Sequence, residues 1–521
     1  MGGACRAGAP VQCSNAATCV EDPSALACTY PGPSAWLVYE ADEDTPAVDE
    51  LYAVKESVFG VQQPIKISGS LPNAPVEHFT PLSFVWSPDA RWLLFGTTEK
   101  SDTVSTRYYA VRFDRGIPEA PIALTSGLPP VDSMSWSPTE HELLFQGTDG
   151  SLYWIHLSDD GVDVPVQLNA PSHVVRYAIW ATRRAVVYST TDSAAYRVSV
   201  GSRPAPAPSQ FTSNDGPSTL DLGWASADGA WLIFHTADRV WLIANVASLQ
   251  VQRLAKNALD PSQVSWQFSP DCLHLVYAAS EQVIGLTELY LVDLRSSFLP
   301  RTKVESTELM RPGDLLGSWA PDSSFFTYFG DPRGREEGQK SLNVYDMANQ
   351  ESSGTGYDVG FDDWAVGFSP DRTSILYSTR FSPTTSYTEL TGIDRKGDEQ
   401  SFDEDAAGRP YSHAEFATNG LAALYCTTVG TDQLTDMVFA DLRPPLSRRS
   451  VRVPGEGSVY SCSKGFAPDS KGFAYYRFAP DGARTLYWVD ITKQVMSQPL
   501  PLTRAGRVSR YDWQPGTTRA D

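Results

Sequence analysis

Residues 84–95 read FVWSPDARWLLF. An alternating apolar run ends in Trp86, Ser87-Pro88-Asp89 follows, and a second apolar run, Trp92 to Phe95, comes straight back. Proline presets φ for a turn, and an aspartate can accept backbone N–H groups two residues on. Flanked by β-rich runs, S-P-D therefore predicts a hairpin. The unit recurs at Trp86, Trp136, Trp180, Trp224, Phe268, Trp319, Phe368, Phe416, Phe466 and Trp513, with spacings between 44 and 51 residues. Each anchor but the last is followed by a short apolar strand: WLLF, ELLF, AVVY, WLIF, HLVY, FFTY, SILY, AALY and GFAYY. A third strand often ends in an acidic or polar residue, as in YYAVRFD, ELYLVDL and LYWVDI, and a less regular fourth follows, such as PIALTS.

Four short strands per repeat of this length are the signature of a β-propeller blade. The chain ends complement each other. The first repeat has a second strand (36–40), a third (50–55) and a fourth (64–68) but no anchor strand before them, while the last anchor, RYDWQP at 510–515, has nothing after it. The C-terminal strand is therefore expected to complete the N-terminal blade and close the ring, since an open ring leaves exposed strand edges. The expected fold is all-β: a single ten-bladed ring of four-stranded blades. Two smaller rings side by side are the alternative, and they would need an internal closure.

The anchors and strands resemble the TolB-type, WD-like propeller repeat, marked by (W/F)-(S/A)-P-D-G, an apolar strand and a third strand of the form LYxVD. The likeness runs from about residue 36 to 515. It implies blade type and a bacterial cell-envelope setting. The glycine of that motif is replaced here by Ala90, Cys272, Ser323, Arg372 and Ser470.

The formal net charge is −21, from 41 basic and 62 acidic residues. Phosphate contacts need Lys and Arg, so nucleic acid is excluded as a partner, as is unaided binding to anionic membrane. A cationic partner suits this charge. No apolar run is long enough for a membrane helix. The chain opens Met-Gly-Gly-Ala-Cys without a secretory signal, which is expected to have been removed ahead of it.

Residues 1–33 stand apart from the propeller (34–521). They hold Cys5, Cys13, Cys19 and Cys28 but few large apolar side chains, and Pro31-Gly32-Pro33 closes them as a linker. So small a segment needs disulfides or a metal. Its spacings lack C-x-x-C pairs, which favours two disulfides, with three pairings open. Gly2-Gly3-Ala4-Cys5 also looks like the tail of a lipoprotein cleavage site, which would make Cys5 a lipid anchor. Cys426 and Cys462 fall in neighbouring blades and form a further disulfide candidate; Cys272, in a turn, is expected to be unpaired. These cysteines point to the envelope, periplasm or outer surface, or to secretion.

Catalytic motifs are missing from the sequence: there is no H-E-x-x-H, no G-x-S-x-G and no P-loop. No catalytic residue, metal ligand or cofactor is expected. The seven histidines are scattered and read as strand or loop residues. Asp89, Asp228, Asp271, Asp322, Asp371 and Asp469 read as turn caps rather than a ring of carboxylates. The variable loops carry the functional signal. The loops joining strands two and three share a face with those leading to the next anchor. Three are acidic: 40–50 with Asp42, Glu43 and Asp44; 353–364 with Tyr357, Asp358, Phe361, Asp362, Asp363 and Trp364; and 402–413 with Asp403, Glu404, Asp405 and Tyr411. Carboxylates beside exposed aromatics can hold a basic peptide, an amine or Ca²⁺. The favoured reading is a non-enzymatic binding or scaffold propeller that recognises a protein or glycan through this face. The alternative is a propeller enzyme of hydrolase or lyase type, with its site at the mouth of the central channel.

Overall fold

A computed structural model describes residues 18–19, 28–29, 35–44, 49–56, 59, 63–69, 84–99, 105–113, 117–138, 141–159, 161–182, 184–192, 194–211, 221–235, 241–255, 264–281, 287–296, 298–307, 316–330, 340–359, 367–369, 374–379, 389–394, 399–401, 408–417, 420–429, 434–442, 450–453, 458–459, 465–478, 484–492, 496–503 and 508–515. Among these there is no α-helix. Ten antiparallel, blade-like sheets succeed one another in the chain, nine of them four-stranded and the one at 131–167 five-stranded, and a separate two-stranded pairing joins Thr18–Cys19 to Cys28–Thr29. Blade 1 combines Trp36–Ala41, Glu50–Lys55 and Ile65–Lys66 with the C-terminal strand Val508–Trp513. Blades 2 to 10 span 84–123, 131–167, 175–210, 221–255, 265–307, 316–359, 367–401, 408–452 and 458–501. The chain separates into two compact units, one holding blades 2–6 and the other blades 7–10 with blade 1.

The expected joining of the chain ends is present. Leu37 pairs with Trp513, Tyr39 with Tyr511 and Glu40 with Arg510. Residues 36–41 thus have a partner on both edges, Glu50–Lys55 on one and Val508–Trp513 on the other.

The turn chemistry is as the sequence implies. In blade 2, Ser87 Oγ donates to Asp89 Oδ1 at 2.6 Å and accepts from Trp92 N at 2.9 Å, while Arg91 N donates to Asp89 Oδ1 at 3.3 Å. The same network recurs at Ser226/Asp228 and Ser269/Asp271, and the cap alone at Asp322 and Asp469; Asp371 lies outside the described residues. The residue after the aspartate takes a left-handed backbone: Ala90 at φ 61°, Gly229 at 67°, Cys272 at 57°, Ser323 at 64° and Ser470 at 57°. Four of these five are not glycine, although such a φ strains an L-residue.

Within each unit the core lies between successive blades. Trp92, Leu94, Tyr108 and Ala110 of blade 2 meet Leu143, Phe145 and Ile155 of blade 3. Leu37, Tyr39 and Tyr52 of blade 1 meet Ala474, Tyr476 and Trp488 of blade 10. A cross-strand aromatic pair recurs between second and third strands, with Tyr39–Tyr52, Phe95–Tyr109, Tyr188–Tyr196, Tyr277–Tyr290 and Tyr475–Tyr487 stacked at 5.2 to 5.7 Å. Such pairs are the unit of sheet stabilisation. The anchor tryptophans also fix blade-to-blade register. Trp136, Trp180 and Trp513 donate their indole N–H to the carbonyls of Val85, Ser135 and Gly465, at 3.4, 3.3 and 3.1 Å. Each acceptor immediately precedes the anchor of the blade before.

Two expectations are corrected here. Tyr357 and Asp358 do not lie in a loop: strand Glu351–Val359 runs through them, with Ser341 opposite Asp358. Tyr411 likewise falls within strand Gly408–Phe416. In both cases a long third- or second-strand partner keeps the ladder going past the point where Gly- and Pro-containing sequence suggests a loop.

Candidate functional site

Of the three acidic loops, the one in blade 1 can be built residue by residue. Strand Trp36–Ala41 delivers Asp42, Glu43 and Asp44 to the turn before Glu50–Lys55. The stacked pair Tyr39–Tyr52 stands beneath them. Tyr39 Oη donates to Glu43 Oε1 at 3.0 Å, Tyr52 Oη donates to Glu50 Oε2 at 2.9 Å, and Asp44 N donates to Tyr52 Oη at 3.2 Å. Lys66, on the fourth strand, pairs with Glu50 and lies 3.5 Å from Asp44. Burial, then the neighbouring Glu50, pushes the Tyr52 phenol well above its ordinary range, so it stays a hydrogen-bond donor. Burial works to lower the Lys66 ammonium, and Glu50 and Asp44 outweigh it, so Lys66 stays charged. Asp44 is exposed and Asp42 and Glu43 are half-buried. The result is a small acidic platform in which two tyrosines fix the carboxylates of Glu43 and Glu50 and the backbone of Asp44.

The other loop candidates are not brought into view. Phe361, Asp362, Asp363, Trp364, Asp403, Glu404 and Asp405 lie outside the described residues, and Tyr357, Asp358 and Tyr411 are described in backbone only. Among the cysteines, Cys19 and Cys28 are direct cross-strand partners in backbone register; Cys426 is a backbone position of strand Ala422–Val429, opposite Met437; Cys5, Cys13 and Cys462 lie outside the described residues. Cys272 corrects the sequence reading. It is disulfide-bonded, with a partner outside the residues whose side chains are described. Nothing in its own turn, where it occupies the glycine position, signals a bond to a remote cysteine.

The turn aspartates do more than cap. Asp89 Oδ2 lies 2.8 Å from His141 Nδ1 of the next blade, and Arg91 Nη1 lies 3.3 Å from His141 Nε2. Burial opposes ionisation of Asp89, but the bonds from His141 and Ser87 win and hold its carboxyl below the usual range. Arg91 and Arg112 both reach Asp159 of blade 3. These groups bind blade to blade. His141 is a link of this kind rather than a lone turn residue, a role the sequence conceals because its partner is 52 residues away.

Sequence reasoning also missed an exposed group on the first strands of blades 3 and 4. Val174 (48% exposed) and Tyr177 (46%) flank Arg176, whose guanidinium sits 5.1 Å from the Tyr177 ring. Gln146, cross-strand partner of Ser133, donates to the carbonyls of Val175 and Arg176 at 3.2 and 3.1 Å. Asp132 and Ser133, on the first strand of blade 3, are exposed as well. The only signal in the sequence is the polar start of an otherwise apolar strand, VRYAIWAT. Among the described residues no cluster of three or more His, Cys, Asp or Glu could hold a metal ion.

Blades, turns and blade-to-blade cores together define a β-propeller-like protein. No protein-family model matches the chain, and no curated protein matches it significantly. Among solved structures, a eukaryotic initiation factor aligns with a TM-score of 0.51 at 11% identity, over 94% of this chain and 100% of that one. Dipeptidyl peptidase 4 of Porphyromonas gingivalis aligns at 0.44 and 11% identity, over 89% and 64%. A TolB of Agrobacterium tumefaciens aligns at 0.29 and 13% identity, over 61% and 94%. Likeness at such identity concerns the fold alone.

Proposed function

We propose that this chain is a non-enzymatic binding or scaffold protein of the bacterial cell envelope or exterior. Its ten TolB-type blades form a single ring, and an acidic, aromatic-bearing loop face recognises a protein or glycan, with cationic groups favoured. The observation that carries this reading is the blade 1 platform. The Glu43 carboxylate and the Asp44 backbone are held on a stacked tyrosine pair, with Lys66 beside the Asp44 carboxylate. A pre-ordered surface loses less entropy when a partner docks. The acidic residues of 353–364 and 402–413 extend the same chemistry, and the net charge of −21 steers cationic groups toward it. No cofactor is needed for such a role. Cys5 is the residue through which a lipid anchor would tether the protein.

The test is retention from an envelope extract on the immobilised protein. It is compared with a variant reversed in charge at Asp44, Asp362, Asp363, Asp403 and Asp405. The reading expects a species retained by the parent and lost with the variant, at unchanged melting temperature. Equal retention by both proteins overturns it.

A further inference from the structure

Glu56 follows the third strand of blade 1 and lies at the seam with blade 10. Its backbone is fixed there: Glu56 N donates to Ala35 O at 3.0 Å, and Phe59 N donates to Glu56 O at 3.2 Å. Phe59 in turn packs on Trp488 of blade 10, ring centroids 5.0 Å apart, and on Trp513, 6.1 Å away. The Glu56 backbone is therefore fixed beside the seam with blade 10. The Oε2 atom of Glu56 is buried and has no hydrogen-bond partner. The charged groups that face it all belong to blade 10: Asp469 and Lys471 in the anchor turn, and Asp490 at the end of the third strand; the Ala35 backbone of blade 1 also bonds the carboxyl and favours its ionised form. Lys471 is the one cation among them, and it is committed elsewhere, with Nζ 2.6 Å from Asp469 Oδ2.

The contrast with the seam between blades 2 and 3 is informative. There the turn residue Arg91 and the strand-end residue Arg112 both meet Asp159, an attraction of opposite charges. At the blade 10 to blade 1 seam the corresponding neighbourhood sets a buried carboxyl against two further carboxylates. Burial and the two neighbouring carboxylates outweigh the single bond from the Ala35 backbone and the committed Lys471, so the closed seam favours the protonated acid. We propose that Glu56 is a proton-operated latch: protonated, it lets blade 1 seat on blade 10, and ionised, it loosens the joint at which the two chain ends are combined. The proton released on loosening goes to solvent.

Burial, then Asp469, raises the Glu56 carboxyl to about 7. In an opened seam it returns toward the ordinary value near 4.5. Opening therefore releases a proton and is promoted as pH rises between those values, then levels off above the upper one. The experiment is amide hydrogen exchange on the full chain from pH 5 to 8.5, corrected for intrinsic exchange chemistry. Protection of Trp36–Ala41 and Val508–Trp513 should fall by at least about tenfold between pH 5 and 7, relative to Trp92–Glu99 of the other unit. Glu56→Gln, which is uncharged and of the same shape, should hold the low-pH protection throughout. Protection at the seam that stays constant with pH overturns the proposal. So does an unchanged fall in the Gln variant, which would place the titration on another group.

Discussion

Gly229 offers a sharp test of how closely the blades approach. It ends the Ser226-Ala-Asp-Gly turn of blade 5 at φ +67°. A Cβ built there would sit 1.1 Å from the carbonyl oxygen of Ala181 and 2.0 Å from its carbon. Ala181 follows the anchor Trp180 of blade 4, so the obstacle is the neighbouring blade's backbone, which cannot swing aside as a side chain can. A left-handed L-residue alone costs about 1–2 kcal/mol, and a stiffer unfolded chain returns about 0.4–1 kcal/mol. The equivalent position in blade 2 shows that the conformation is tolerable, since Ala90 occupies it at φ 61°. Gly127, at φ +80° with nothing within 4 Å of its virtual Cβ, isolates that backbone term. Gly127→Ala should cost about 1 kcal/mol or less on those figures. Gly229→Ala must also push the turn roughly 2 Å off Ala181 to reach ordinary contact. That opens the interface formed by Ala181, Phe211, Leu232 and Phe234. Underpacking equivalent to one aromatic side chain costs about 3–5 kcal/mol. The total for Gly229→Ala should therefore exceed that for Gly127→Ala by about 3 kcal/mol. Urea unfolding followed by tryptophan fluorescence and far-UV circular dichroism compares the two. Equal costs within about 1 kcal/mol would refute close blade-to-blade contact as the reason for this glycine.

Two further outcomes follow from the geometry. Deleting residues 510–521 removes Tyr511 and Trp513 from the core shared by blades 1 and 10 and bares one edge of Trp36–Ala41. Loss of two buried aromatics costs more than about 5 kcal/mol, so the truncation should aggregate, and a soluble truncation of parental melting temperature would contradict a structural role for the strand that completes blade 1. Asp271 is held down to about 2: burial opposes its ionisation, and the neighbouring His274 ring together with bonds from Ser269 Oγ and the Leu273 N–H outweighs that. Because the folded value lies below the unfolded one, its stabilisation is present above about pH 4 and is lost as pH falls toward 2. With the group half-exposed, solvent screening trims it to about 1 kcal/mol. The stability gap between parent and Asp271→Asn in urea should close over that range, and a gap independent of pH would exclude the ionised carboxylate as its source.

How much of this was legible in the sequence depends on the range of the interaction. The S-P-D turn is written locally, because the aspartate reaches only two residues on, and its hydrogen bonds match the motif in blades as far apart as 2 and 6. The final aromatic of WLVY, WLLF, AVVY and HLVY is legible for the same reason: strand register sets it opposite its partner on the next strand. The joining of the chain ends could be read because each end lacks what the other has. Legibility stops where a partner is set by the neighbouring blade. Asp89 meets His141, Trp513 donates to Gly465, and Glu56 faces Asp469, at separations that no local pattern fixes. The strand through Tyr357 and Asp358 fails to announce itself for a related reason. Gly and Ser have little intrinsic strand preference, and the ladder offered by Lys340–Asp346 overrides it. The acidic platform falls between these cases. Its carboxylates are obvious in 40–50, but Tyr39 and Tyr52, which bond Glu43, Glu50 and the Asp44 backbone, read in the sequence only as apolar strand positions. Their rings do belong to the core and their hydroxyls to the loop, so one aromatic pair connects blade packing to the face proposed for binding.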